Sequence, residues 1–286
     1  MLAPVRFSRG GLTFDVRDSG PRDGPPVVCL HGFPQDATAF DGVSAVLVAA
    51  GCRVVAPDQR GYSPGARPTG RRDFVLSELA GDVVALLDFL GLERAHVVGH
   101  DWGGAVAWRL ASAHAARVSA VTVLATAHPA AMVSALSRST QALRSAYVGL
   151  FQLPVLPERL LLGGGGAPLR ALLVGSGLPR DRADHYVSRM LEPGALSAAL
   201  AWYRAVPLAG RDGTAGRARV PVTYVRGGRE PAITARAAEL TAGYVRAPYR
   251  HVEWPDAGHW LPETRAREVA ELILEAVAQR PDSFPG

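Results

Sequence analysis

The sequence predicts an α/β fold: a doubly wound, mostly parallel central sheet flanked by helices, with a helical cap inserted into it. Three observations lead there. Short apolar runs of strand length alternate with stretches of helical period, the pattern of a parallel sheet wrapped by its own connections. The alternation stops over residues 129–216, which are helical in period and broken by turn signals such as Gly163 to Gly166. It then resumes for two more strands and a terminal helix.

Each element has a local reason. Residues 5–20 alternate around Gly10-Gly11 and predict a β-hairpin. Residues 26–30 form a buried apolar strand that ends in His31-Gly32-Phe33-Pro34. Residues 39–50 follow a helix pattern closed by Gly51, and residues 52–58 predict the next buried strand. A Gly/Pro/Arg loop follows over residues 60–73. Residues 78–90 predict an amphipathic helix, with Ser77 as its cap and Gly91 as its stop. Residues 95–100 predict a strand, 102–114 a helix and 118–127 a strand. Beyond the interruption come strands over 220–227 and 249–255 and a helix over 264–278. The expected division is a core of residues 1–128 and 217–286 and a cap of residues 129–216. The cap would lie over the C-terminal edge of the sheet, where open α/β sheets bind ligands.

Composition narrows the class. The chain has 286 residues, 48% of them hydrophobic, enough for one sizeable core. The net charge is +5, and all 31 basic residues are arginine. They are scattered, with no basic run interleaved with aromatics, so no nucleic-acid partner is expected. Cys29 and Cys52 sit in apolar strand runs and are expected to be buried thiols, not a disulfide framework. No segment approaches the roughly 18 apolar residues of a membrane span, so a cytoplasmic protein without a membrane partner is expected. No metal cluster or dinucleotide fingerprint stands out, and the four glycines lack the Lys-Ser/Thr of a phosphate loop. No cofactor is expected.

Chemistry concentrates at Gly99-His100-Asp101-Trp102-Gly103-Gly104, which follows a strand and opens a helix. Small residues flank a sharp strand-to-helix turn so that its central side chain points out at the sheet's top, beside a helix N-terminus. Here that side chain is a carboxylate. A carboxylate needs no base to become a nucleophile; it attacks a carbon bearing a leaving group and forms an ester on the enzyme. The simpler reading is that Asp101 caps the helix it precedes.

With HGFP at 31–34, the loop DQRGYSPGARP at 58–68, GHDWGG at 99–104 and GHWLPE at 258–263, nearly the whole chain resembles the epoxide hydrolase and haloalkane dehalogenase group of the α/β-hydrolase superfamily, and within it the soluble epoxide hydrolases. The resemblance implies an α/β-hydrolase fold with an oxyanion hole made by the backbone amides of Phe33 and Trp102. In this fold the triad runs nucleophile, acid, histidine. His259, placed between the last strand and the terminal helix, is the expected base. Relatives carry the acid after the penultimate strand, commonly as Asp in G-x-x-D-P; here Gly227-Gly228-Arg229-Glu230-Pro231 puts Glu230 in that slot, one methylene longer. Asp256, about a turn before His259, is the rival. The family's cap tyrosines, which protonate the epoxide oxygen, correspond to Tyr147 and Tyr203. Where relatives commonly carry tryptophan before the first tyrosine, this chain has Ala146. Trp102, Phe33 and Ala146 are the expected substrate-lining residues, and Ala146 predicts a roomier site for a bulky or polycyclic epoxide.

The implied function is therefore hydrolysis of a small hydrophobic epoxide to a vicinal diol, by a monomer or homodimer. One alternative is a dehalogenase with the same nucleophile, whose halide would need N–H donors and no proton. A second is a tailoring enzyme of specialised metabolism with nearly identical chemistry, and a third is a non-catalytic binder. The elbow has no hydroxyl, which disfavours a serine esterase.

Overall fold

The computed structural model describes residues 5–208, 210 and 215–278. The outer ends of the expected core (1–4, 279–286) and part of the expected cap boundary (209, 211–214) lie outside them. Among the described residues eight strands form one sheet in the order β1-β2-β4-β3-β5-β6-β7-β8. They are β1 (Val5–Arg9), β2 (Leu12–Ser19), β3 (Pro26–Leu30), β4 (Arg53–Pro57), β5 (Ala95–His100), β6 (Val118–Leu124), β7 (Val222–Gly227) and β8 (Tyr249–Trp254). The first two make the expected hairpin, with Phe7 opposite Phe14 and their rings stacked at 4.7 Å. β2 is antiparallel to β4, and every pairing from β4 to β8 is parallel. All residues of β4 and β5 are buried, which is why those strands are continuous apolar runs and do not alternate. Cys29 and Cys52 are both buried thiols.

The sheet is flanked by α1 (Asp41–Ala49), α2 (Leu76–Phe89) and α3 (Trp102–Ala113). A 3-10 turn, Ala37–Phe40, precedes α1; Asp36 Oδ1 caps it by accepting from the Thr38 amide at 2.9 Å. The expected cap at Ser77 is not there. α2 starts at Leu76, after Val75 in extended conformation and with no side-chain capping bond. Burial explains the shift: Phe74 and Leu76 are both driven into the protein, and this fixes where the helix begins.

Between β6 and β7 the chain forms α4 (Pro129–Leu136), α5 (Gln141–Arg144), α6 (Ala146–Phe151), α7 (Leu156–Gly175), α8 (Arg180–Met190) and α9 (Ala195–Ala205). The glycine run breaks α7 in two, because Gly163 to Gly166 leave helical geometry. α10 (Ala235–Thr241) joins β7 to β8, and α11 (Leu261–Thr264) and α12 (Ala266–Ala278) end the described fold. Among the described residues no helix is long and apolar enough to cross a membrane.

One close approach decides the site's position. α3 starts where β5 ends, beside the end of β3, and a Cβ at Gly103 would sit 2.0 Å from the Leu30 carbonyl oxygen. Backbone occupies that space, so the strand and helix can meet there only with glycine. Gly103→Ala is expected to lose about 3 kcal/mol or to fail to fold, as overpacking against backbone does. A thermal melt of the variant within 2 °C of the wild type would contradict the close approach, since about 1 kcal/mol shifts a chain of this size by roughly 2–4 °C.

Candidate active site

Asp101 holds φ 50° and ψ −120°, a backbone conformation that costs a non-glycine residue about 1–3 kcal/mol. Neighbours hold it there. Its amide donates to the Leu124 carbonyl (3.2 Å), and its own carbonyl accepts from Thr126 Oγ1 (2.7 Å) and from the Gly104 amide (2.9 Å). The side chain makes no capping bond to α3. It turns instead toward the loop after β3, where Oδ1 accepts from the Phe33 amide at 2.8 Å. The Trp102 amide, at the start of α3, also favours the charged form of the carboxylate. A Cβ on Gly32 would fall 2.4–2.8 Å from the Asp101 side chain, so glycine is required beside this carboxylate. The two amides expected to form the oxyanion hole thus converge on one carboxylate.

The second carboxylate sits behind a histidine. His259 Nδ1 donates to Glu230 Oε2 at 2.8 Å, and Glu230 Oε1 accepts from the Ala232 amide at 2.7 Å. Glu230 is fully buried in its side chain, so the longer residue fills the slot without reaching solvent. Asp256, the rival acid, is exposed and pairs with Arg265. His259 Nε2 faces Asp101 Oδ2 at 3.8 Å, too far for a hydrogen bond and wide enough for a bridging atom.

Electrostatics couples the three groups. Burial raises the Asp101 carboxyl above its ordinary range, partly offset by His259 and the two amides. Burial alone would lower His259; Glu230 and Asp101 outweigh it and bring the imidazole up to about 9. His100, on the other side, is pushed well below its ordinary value by burial and by His259.

The two expected tyrosines join the same cavity. A hollow of about 650 Å³ is lined by Asp101, Trp102, Tyr147 and Tyr203 together with mostly apolar residues. The tyrosine rings lie 5.9 Å apart. Tyr203 is buried against Phe33 and Trp102, with ring centroids at 5.5 and 5.0 Å. Tyr147 is 41% exposed. Burial and the Asp101 charge push both phenols up, so both keep their protons. Two expected lining residues need correction. The Phe33 side chain is not among the lining residues; it packs on Phe151 and Tyr203 while its amide faces Asp101. Ala146 is exposed and also outside the lining, because its position on the short α6 turns Tyr147, Val148 and Gly149 to the cavity instead.

Sequence reasoning missed what stands behind His259. The His259 carbonyl faces His100 Nε2 (2.9 Å), and His100 Nδ1 faces Gln35 Oε1 (2.8 Å). Gln35 Nε2 donates to Glu263 Oε1 (2.7 Å), which also accepts from Tyr186 (2.9 Å). His100 and Glu263 were visible inside the elbow and the last loop motif, and Gln35 directly follows HGFP, but pairing over such separations leaves no local pattern. Thr126 was missed for the same reason.

Known proteins share this architecture. A family model described as the alpha/beta hydrolase fold matches residues 25–266. An AB hydrolase superfamily protein of Bacillus subtilis (strain 168) is 35% identical over 271 residues, covering 93% of this chain and 94% of the relative. Epoxide hydrolase A of Mycobacterium tuberculosis is 32% identical over 311 residues, covering 93% of this chain and 94% of the relative. The crystal structure of epoxide hydrolase A from Mycobacterium thermoresistibile superposes with a TM-score of 0.84 at 26% identity, covering 97% of this chain and 98% of that one.

The raised imidazole makes a signed prediction. A folded-state pKa of about 9 against 6.5 stabilises the fold fully below pH 6.5, and the effect fades as pH rises toward 9. The difference in Tm between wild type and His259→Gln should therefore shrink across that window. A difference that stays flat would show that His259 is not held protonated.

Proposed function

The chain belongs to the epoxide hydrolase family of the α/β-hydrolases, and we propose that it opens an epoxide with water by a two-step reaction on Asp101. The observation that carries the reading is the pair of protonated phenols, Tyr147 and Tyr203, in one cavity with a carboxylate nucleophile. An epoxide's leaving oxygen stays on the substrate as an alkoxide and needs a proton; a departing halide does not. The phenols therefore favour epoxide opening over dehalogenation.

Asp101 Oδ1 accepts from the Phe33 amide, which leaves Oδ2 to attack an epoxide carbon. The carbon–oxygen bond of the ring breaks, and a tyrosine donates its proton to the released oxygen. The product is an alkyl ester on Asp101. Attack removes the Asp101 charge, and with it part of what holds His259 protonated. The imidazolium, now the stronger acid, gives its proton back to the phenolate the tyrosine has become, through water or the new hydroxyl, and is a free base when water must be activated. His259 Nε2 then takes a proton from water, and the hydroxide attacks Cγ of Asp101. The amides of Phe33 and Trp102 donate to the tetrahedral oxyanion, the stabilisation on which acyl chemistry most depends. Collapse breaks the Cγ–Oδ2 bond, the proton of the added hydroxide passes to the departing oxygen to complete the diol, and one water oxygen remains in the carboxylate. Glu230 holds the imidazole's tautomer and stabilises the imidazolium. In this scheme the helices from Pro129 to Leu208 act as the cap that supplies the acids.

His259→Gln should arrest the cycle at the ester. Intact mass after exposure to pooled epoxides should rise by one whole epoxide, mapped to Asp101. A shift equal to a haloalkane minus its hydrogen halide, with no epoxide adduct, would replace this reading with dehalogenation. Tyr147→Phe and Tyr203→Phe should each slow ester formation, and together by about 10²–10⁴-fold. An unchanged alkylation rate in the double variant would remove the phenols from the mechanism.

A further inference from the structure

The cavity's lining is chemically one-sided. Apart from Asp101 and the two phenols, its polar side-chain groups are few and mostly engaged. Thr126 Oγ1 donates to the Asp101 carbonyl, Ser145 Oγ accepts from Gln141 (3.0 Å), and the Trp202 indole donates to the Arg60 carbonyl (2.8 Å). Among the described residues, no arginine or histidine lines it, and Asp101 is its one charged group. A carboxylate or phosphate on the substrate's body would be buried without a partner and close to a like charge, at severe cost. The volume, about 650 Å³, lies in the range of pockets that enclose drug-sized molecules, roughly 300–1,000 Å³. Val133, Leu136 and Val206 line the cavity and are also exposed, so its mouth is apolar too.

Gly149 stands out in this wall. It lies within α6, two residues beyond Tyr147, and lines the cavity. A Cβ built there meets nothing within 4 Å, and its φ is not in the left-handed region. Neither packing nor backbone geometry demands glycine, and in a helix glycine costs about 1 kcal/mol relative to alanine. What its absent side chain leaves is space. Ala105, Ala142 and Ala205 are small on the same lining.

We propose that the substrate is a large, uncharged epoxide whose apolar body fills this cavity, and that Gly149 is a specificity-determining residue that keeps room for it. The proposal rests on the epoxide-opening reading and gives the site's room to Gly149, not to Ala146.

The test compares kcat/KM of the wild type and Gly149→Phe for trans-stilbene oxide, propylene oxide and 9,10-epoxystearate. The wild type should prefer stilbene oxide to the other two by about tenfold or more. In Gly149→Phe the stilbene-to-propylene ratio should fall by about 10–100-fold. Wild-type preference for propylene oxide or the carboxylate-bearing epoxide would overturn the proposal, as would a ratio that moves less than about twofold. If Gly149→Phe does not fold, Ala142→Phe carries the same expectation. Turnover of none of the three would instead count against the epoxide-opening reading. Binding of Nile red, an uncharged apolar dye, then decides the cavity: at least about tenfold weaker binding to Gly149→Phe supports it, and equal binding overturns it.

Discussion

Everything in this site depends on where Asp101 can point. Its backbone is held at φ 50° from the end of β6, and its carboxylate is held from the end of β3. Leu124 at the end of β6 accepts from its amide, Thr126 just beyond holds its carbonyl, and the loop after β3 supplies an amide to its carboxylate. The strand order places β5 between β3 and β6, so these contacts converge on one residue without any long loop. The proposed nucleophile and its oxyanion-hole amide are consequently joined in a single contact between two chain segments. Whatever moves the β3 loop relative to the elbow moves both, which is why the approach is closed by glycine at 32 and 103.

The second constraint is electrostatic. Two carboxylates and one imidazole share a largely buried space, and a buried charge survives only when it is paired. Glu230 is bonded to His259 on one side, while Asp101 lies across from the ring's other nitrogen without a direct bond. The imidazole's proton therefore faces a carboxylate on each side. In the proposed reaction, a group that must be a base only in the second half of the cycle is well served by a partner that loses its charge in the first half. The uncharged His100 behind it adds no competing positive charge and instead faces the His259 carbonyl.

Much of this was legible in the sequence because it is local. Apolar runs announced the strands, and the buried residues of β3, β4 and β5 are the ones that announced them. The elbow carries its own flanking glycines, and Glu230 and His259 sit in short segments just past β7 and β8. What was not legible is set by packing between distant segments. Ser77 has the right chemistry for a cap, but the burial of Phe74 and Leu76 starts the helix two residues earlier. Ala146 occupies a position where relatives carry tryptophan, yet the facing of a six-residue helix cannot be read from composition. Gln35 meets His100 and Glu263 across 65 and 228 residues, distances over which one sequence carries no pairing signal.

The inserted helices do not contribute evenly, and this divides the work of the two phenols. α8 is pinned to the core by polar contacts: Arg182 to the Thr38 carbonyl (2.7 Å), His185 to Asp36 (2.7 Å), Arg189 to Asp58 (3.2 Å) and Tyr186 to Glu263 (2.9 Å). Tyr203, on the next helix, is buried among Phe33, Phe151 and Trp102, so its hydroxyl is fixed relative to the elbow itself. Tyr147 rests on Phe151 and Tyr203 from a short helix with an exposed face, and its position is set at second hand. The geometry thus gives one phenol a rigid placement relative to Asp101, the placement the proposed reaction asks of a group that orients an epoxide oxygen. It leaves the other on the cavity wall that carries Gly149.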